Sequence, residues 1–100
     1  MNAALAKYCR HLPATRQLRQ MQLAECLYRL GVKPTSGRSL NVRKMNEWEL
    51  ADLFKSAQQL FRKMVAMLHP DRGGSNTLCS KLNALWVRIK TLFRRKGVET

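Results

Sequence analysis

His69, Pro70 and Asp71, followed by Arg72, Gly73, Gly74 and Ser75, set an imidazole, a carboxylate and a guanidinium around one rigid proline. At the tip of a helical hairpin, held by the rigid proline, His69 and Asp71 would be exposed to a partner. The fixed proline φ lowers the entropy that docking would cost. Two other chemistries compete. His69 as a catalytic base has little support, because the sequence places no nucleophile or second acid near it. A plain helix stop, with Asp71 capping the next segment, is the remaining reading. The surrounding elements decide among them.

Before the tripeptide, Leu50, Phe54, Ala57, Phe61, Met64 and Leu68 recur at alternating spacings of four and three. That is one apolar helical stripe of more than five turns. Asn46 as N-cap, with Glu49 three residues on, marks its start as a capping box. The opposite face carries Lys55, Gln58, Gln59, Arg62 and Lys63. Trp48, Leu53, Leu60 and Val65 widen the apolar surface, so both flanks of the stripe are expected to pack. After the tripeptide, a helix from about Asn76 to Arg95 carries Leu78, Leu82, Leu85, Ile89 and Leu92, with Trp86 and Phe93 beside them. Arg94, Arg95 and Lys96 complement the dipole at its end, and Gly97 can stop it. Two striped helices joined by a short loop bury their stripes against each other. The expectation is an antiparallel hairpin, about Asn46–Leu68 and Asn76–Arg95, with Met64, Leu68, Leu82, Trp86 and Ile89 inside and His69 and Asp71 outside.

An earlier helix is expected from about Thr15 to Arg29, with Thr15 as N-cap and Leu18, Met21, Ala24, Leu27 and Tyr28 on its apolar face. Gly31 suits the left-handed position that closes it. Residues 33–45 hold Pro34, Ser36, Gly37, Ser39 and Asn41 among basic residues and read as a polar, turn-rich insert. The fold class is all-α. Residues 1–14 read as an N-terminal extension, and 15–100 as one domain.

Composition narrows the partners. The 100 residues carry 19 Lys and Arg against 6 Asp and Glu, a net charge of +13. Such a field favours acidic partners: nucleic acid, an anionic membrane or an acidic protein surface. A hydrophobic content of 45% with two Trp argues against a disordered basic tail. Cys9, Cys26 and Cys79 are odd in number and widely spaced, which fits a reduced, cytosolic setting better than a disulfide framework. A zinc site drawn from Cys9, His11, Cys26 and His69 matches no common finger spacing, so no metal and no cofactor is expected. No apolar run is long enough to span a bilayer.

The residues around the tripeptide resemble the J-domain family, the co-chaperones typified by DnaJ. Tyr28-Arg29-Leu30-Gly31-Val32 is similar to the family's Tyr-x-x-Leu-Gly-Val. Phe61 to Leu68, reading Phe-Arg-Lys-Met-Val-Ala-Met-Leu, precedes His69 as Tyr-Arg-Lys-Leu-Ala-x-x-Tyr does in the family. Lys81-Leu82-Asn83-Ala84-Leu85-Trp86 resembles Lys-Ile-Asn-x-Ala-Tyr. The glycine pair and its spacing to Lys81 also look like the J-domains of polyomavirus T antigens, although cellular and phage J-proteins share the His-Pro-Asp-Lys/Arg-Gly-Gly pattern. Departures are visible. The stretch from Lys33 to about Ser56 is longer than usual, Gln58 and Met67 stand where the family is often basic, and Phe61 replaces the usual Tyr.

The resemblance implies docking on a DnaK-type heat-shock ATPase, with the Asp of the tripeptide paired to a partner Arg and ATP hydrolysis stimulated. The residues it marks for partner binding are His69, Pro70, Asp71, Arg72, Arg62, Lys63, Lys55 and Asn83. Asn83 could equally hydrogen-bond the loop. No activity as an enzyme is expected. A small basic nucleic-acid-binding protein is the rival reading, with Arg43, Lys44, Arg94, Arg95 and Lys96 on phosphates. Phe54, Phe61, Trp86 and Phe93 lie on helical stripes and read as core rather than a base-stacking platform. The expected location is cytoplasmic, or nuclear if the chain is viral.

Overall fold

The computed structural model describes residues 3–32, 41–68 and 76–100, and all regular structure within them is helical. Five α-helices follow in order: α1 (Ala3–Arg10), α2 (Thr15–Leu18), α3 (Leu23–Leu30), α4 (Glu47–Leu68) and α5 (Asn76–Arg95). A short 3-10 turn, Val42–Lys44, precedes α4. Helix α5 is the centre of the fold and touches each of the other four.

The start of α4 is held as its sequence predicts. Asn46 Oδ1 accepts from the Glu49 amide at 2.9 Å, and Glu49 Oε1 accepts from the Asn46 amide at 3.4 Å. Two orphan donors of the first turn are thereby satisfied. From there Leu50, Phe54, Ala57 and Met64 are buried, while Phe61 is half-buried. Opposite them on α5 lie Leu82, Leu85, Trp86, Ile89 and Phe93, all buried. Each such side chain contributes roughly 1.5–3 kcal/mol by leaving water.

Aromatic contacts fix the direction of the pair. Phe54 meets Phe93 edge-on with centroids 5.2 Å apart, and Phe61 stacks on Trp86 at 4.8 Å. Seven residues forward along α4 correspond to seven back along α5, so the two helices run antiparallel. The all-α, J-domain-like layout expected from the sequence is present, with α3 packed on this pair.

Helix α3 buries Leu23, Cys26, Leu27 and Leu30, an i, i+3, i+4, i+7 pattern. It closes on Gly31 at φ 104°, with the Gly31 amide bonded to the Tyr28 carbonyl and the Val32 amide to the Leu27 carbonyl. This is a Schellman ending that needs a left-handed residue. Helix α5 ends the same way. Gly97 sits at φ 88°, and the Val98 amide donates to the Phe93 carbonyl at 3.1 Å.

Four expectations need correction. The helix read as continuous from Thr15 to Arg29 is two helices, broken between Leu18 and Leu23. Ala14, not Thr15, is the N-cap, and its amide donates to Gln17 Oε1 at 3.1 Å. The carbonyls freed by the break are taken up by Arg88 from α5, whose Nη2 donates to Arg19 at 3.1 Å and to Met21 at 3.3 Å. Trp48 and Tyr28, counted on apolar faces, are 82% and 76% exposed, because among the described residues no element packs over those sides of α4 and α3. The residues read as an extension include a helix, α1, that packs on α5 and places Cys9 in the core, with Leu12 buried just beyond its end. Within the insert, residues 41–45 turn tightly enough to bury Val42, while 33–40 lie outside the described residues.

Candidate partner-binding site

The exposed face of α4 is acidic at its start, with Glu47, Glu49 and Asp52, and cationic from Lys55 onward. At 100° per residue, Lys55, Gln59 and Arg62 share one stripe, and all three are exposed. Lys63 stands to one side of it and is also exposed. The buried stripe Phe54, Ala57 and Met64 faces the opposite way, so packing on α5 orients the cations outward. Gln58 is half-buried and Met67 is 42% exposed, which leaves both positions uncharged. Asn83 is exposed on α5, a setting that leaves its amide accessible to a partner.

His69, Pro70, Asp71 and Arg72 lie outside the described residues, as do the positions of Gly73 and Gly74. Residues 69–75 connect the end of α4 to the start of α5. The buried positions Met64, Leu82, Trp86 and Ile89 agree with expectation, whereas the side chain of Leu68 is outside the described set.

The residues marked for nucleic acid divide into two groups. Arg43, Arg95 and Lys96 line one groove, although Arg43 comes from the insert and the other two from the end of α5. Lys44 and Arg94 are exposed but do not line it, and Arg94 Nε donates to the Thr100 hydroxyl. Arg88, one of the basic residues of the C-terminal helix that the sequence offered for phosphate, stands in the same groove.

Burial dominates the electrostatics of the two shifted groups. It pushes the Cys26 thiol from 9.0 up to about 11, partly offset by the Arg88 guanidinium and reinforced by Glu25. Tyr8 is driven well above the ordinary phenol range, first by burial, then by Cys9, with Arg29 acting the other way. Its hydroxyl donates to the Arg29 carbonyl, tying α1 to α3. Neither thiol of the pair Cys9 and Cys26 is in a disulfide. Among the described residues no group of three His, Cys, Asp or Glu side chains is gathered that could hold a metal ion, and no helix is long and apolar enough to cross a membrane.

Comparison with known proteins places one segment of the chain beside viral proteins. It is 45% identical over 38 residues to the small t antigen of murine polyomavirus (strain Crawford small-plaque), covering 38% of this chain and 20% of that relative. The same identity and length relate it to the middle T antigen of murine polyomavirus (strain A2), of which 9% is covered. The matched segment thus spans about a fifth or less of these relatives. No family model matches the chain, and no solved structure matches it significantly.

Proposed function

We propose that the chain acts as a J-domain co-chaperone that binds a DnaK-type heat-shock ATPase and stimulates its ATP hydrolysis. The observation that carries this reading is the outward cationic stripe of α4, Lys55 and Arg62 with Lys63 beside it, leading directly into His69-Pro70-Asp71. The similarity to polyomavirus T antigens supports it, since the tripeptide and glycine pair of this chain resemble the J-domains of that group.

In this reading the protein is not itself an enzyme; the partner cleaves the ATP. Lys55, Arg62 and Lys63 steer α4 to an acidic surface and mainly raise the association rate. Asp71 pairs with a partner arginine through a charge-assisted bond, and Pro70 limits the conformations given up on docking. Stimulation follows if the chain binds the hydrolysis-competent state of the partner more tightly than the resting state, because only differential affinity shifts a population. The reaction takes place in the cytoplasm, or in the nucleus if the chain is viral.

Single-turnover ATP hydrolysis by a DnaK-type ATPase, measured with and without the chain, tests the proposal. Acceleration of several-fold or more that saturates with added chain is the expected result. An unchanged rate in the presence of excess folded chain overturns it.

A further inference from the structure

Arg43 of the 3-10 turn and Arg95 and Lys96 at the end of α5 meet at an open groove of about 410 Å³. Arg88 stands in the same groove, joined by Gln20 and Gln22 from the turn that separates α2 from α3. Arg43, Lys96 and Gln22 also border a neighbouring recess of about 170 Å³. Apolar surface in the groove comes from Met21 and Leu92. Among the described residues no aspartate or glutamate lines either space, and four cations are gathered in one concavity.

We infer that this groove binds the backbone of single-stranded nucleic acid. Like charges held together repel, and a polyanion relieves that repulsion while releasing its own counterions. Arg43 and Arg95 carry planar forks that match phosphate oxygens two at a time. The amides of Gln20 and Gln22 add both donors and acceptors for phosphate or base edges. Met21 and Leu92 offer apolar surface to a sugar or the face of a base, as single-strand grooves do. A space of a few hundred Å³ matches a nucleotide or two of one strand.

Arg88 is the positioning residue here. It holds the α2–α3 turn through the Arg19 and Met21 carbonyls, and so sets where Gln20 and Gln22 stand. Lys55, Arg62 and Lys63 do not line the groove. The inference is therefore independent of the co-chaperone reading, and either can fail alone.

Fluorescence anisotropy of a labelled oligothymidylate, titrated with the full chain over a series of salt concentrations, tests it. The variant R43Q/R95Q/K96Q should bind about tenfold or more weakly, and its slope of log affinity against log salt should fall by about 2, at roughly 0.7 for each phosphate no longer neutralised. A control, K7Q/R10Q/R29Q, removes the same charge from exposed positions outside the groove and should stay within about threefold of the parent. Equal weakening in the two variants, or none in the first, overturns the site. Polyglutamate should displace the oligonucleotide far less well than unlabelled oligonucleotide does; equal displacement would assign the groove to acidic proteins instead. If the groove variant loses its helical circular dichroism, backbone amide shifts in the parent decide. Oligonucleotide-induced changes clustered at Arg43, Arg95 and Lys96 support the site, and changes confined elsewhere refute it.

Discussion

Arg88 donates from Nη2 to the carbonyl of Arg19 at 3.1 Å, across 69 positions of sequence, and thereby caps a helix that ends with no glycine or proline to stop it. The second bond, to the Met21 carbonyl at 3.3 Å, completes a two-point hold on the α2–α3 turn. Arg88 Nε is buried with no hydrogen-bond partner among the described residues, so the hold on the turn rests on Nη2.

Arg88→Ala should therefore destabilise the fold by about 1–3 kcal/mol, the cost of leaving backbone acceptors unsatisfied. Arg88→Lys should recover part of that stability, since one ammonium can reach one carbonyl. Urea denaturation checks both. Equal stability of Arg88→Ala and the parent would show that water serves the two carbonyls as well as the guanidinium does.

Packing of the hairpin gives a second expectation. Trp86 lies against both Phe54 and Phe61, at 5.5 and 4.8 Å, with planes inclined by 17° and 12°. A double-mutant cycle on Phe61→Leu and Trp86→Leu should return a coupling of about 0.5–1.5 kcal/mol. Leu82→Ala, at a fully buried position, should cost about 2–5 kcal/mol. Strict additivity of the aromatic pair would mean that their stacking contributes nothing beyond burial.

The long helices were legible from the start of α4 at Asn46 with Glu49, the four-three spacing along both, and the stop of α5 at Gly97 in the left-handed region. The α2–α3 break was not, since its cause is an arginine contributed by a distant helix. Trp48 and Tyr28 were misplaced for a related reason. Hydrophobicity tells that a side chain would prefer cover, but only the tertiary arrangement tells whether an element is there to cover it. Helix α1 did leave a signal in Leu5, Cys9 and Leu12, spaced four and three, within a segment read as an extension. Of the cationic sites, the α4 stripe followed from helical periodicity alone. The groove did not, because Arg43 and Lys96 meet only once α5 is in place.

Alkaline pH should weaken the fold through Cys26. Its folded pKa lies above its unfolded value, at about 11 against 9.0, so the folded state holds the proton more tightly. The resulting stabilisation is fully present below pH 9 and is lost as pH rises toward 11. Tyr8, also raised, weakens the fold further above pH 10. Urea midpoints of the parent and Cys26→Ala, measured from pH 7 to 11, check this. The variant should show a shallower decline above pH 9, and parallel curves would remove Cys26 from the account.

The co-chaperone function depends above all on Asp71. Asp71→Asn keeps the size of the side chain but removes the charge that a partner arginine would pair with. Truncating one member of a desolvated charge pair at an interface costs roughly 2–5 kcal/mol, enough to erase a transient contact. Stimulation of the partner ATPase should therefore disappear, as it should in His69→Gln. Thermal stability should move by less than about 0.5 kcal/mol, because the proposal gives these residues a role on the partner and none in the core. Lys55→Gln with Arg62→Gln should behave differently, lowering the association rate and its salt dependence while leaving the stimulated rate at saturation near that of the parent. Folded tripeptide variants that stimulate normally would exclude the J-domain mechanism. Tripeptide variants that unfold would instead make His69-Pro70-Asp71 a structural turn, with the cationic stripe of α4 left to serve some other acidic partner.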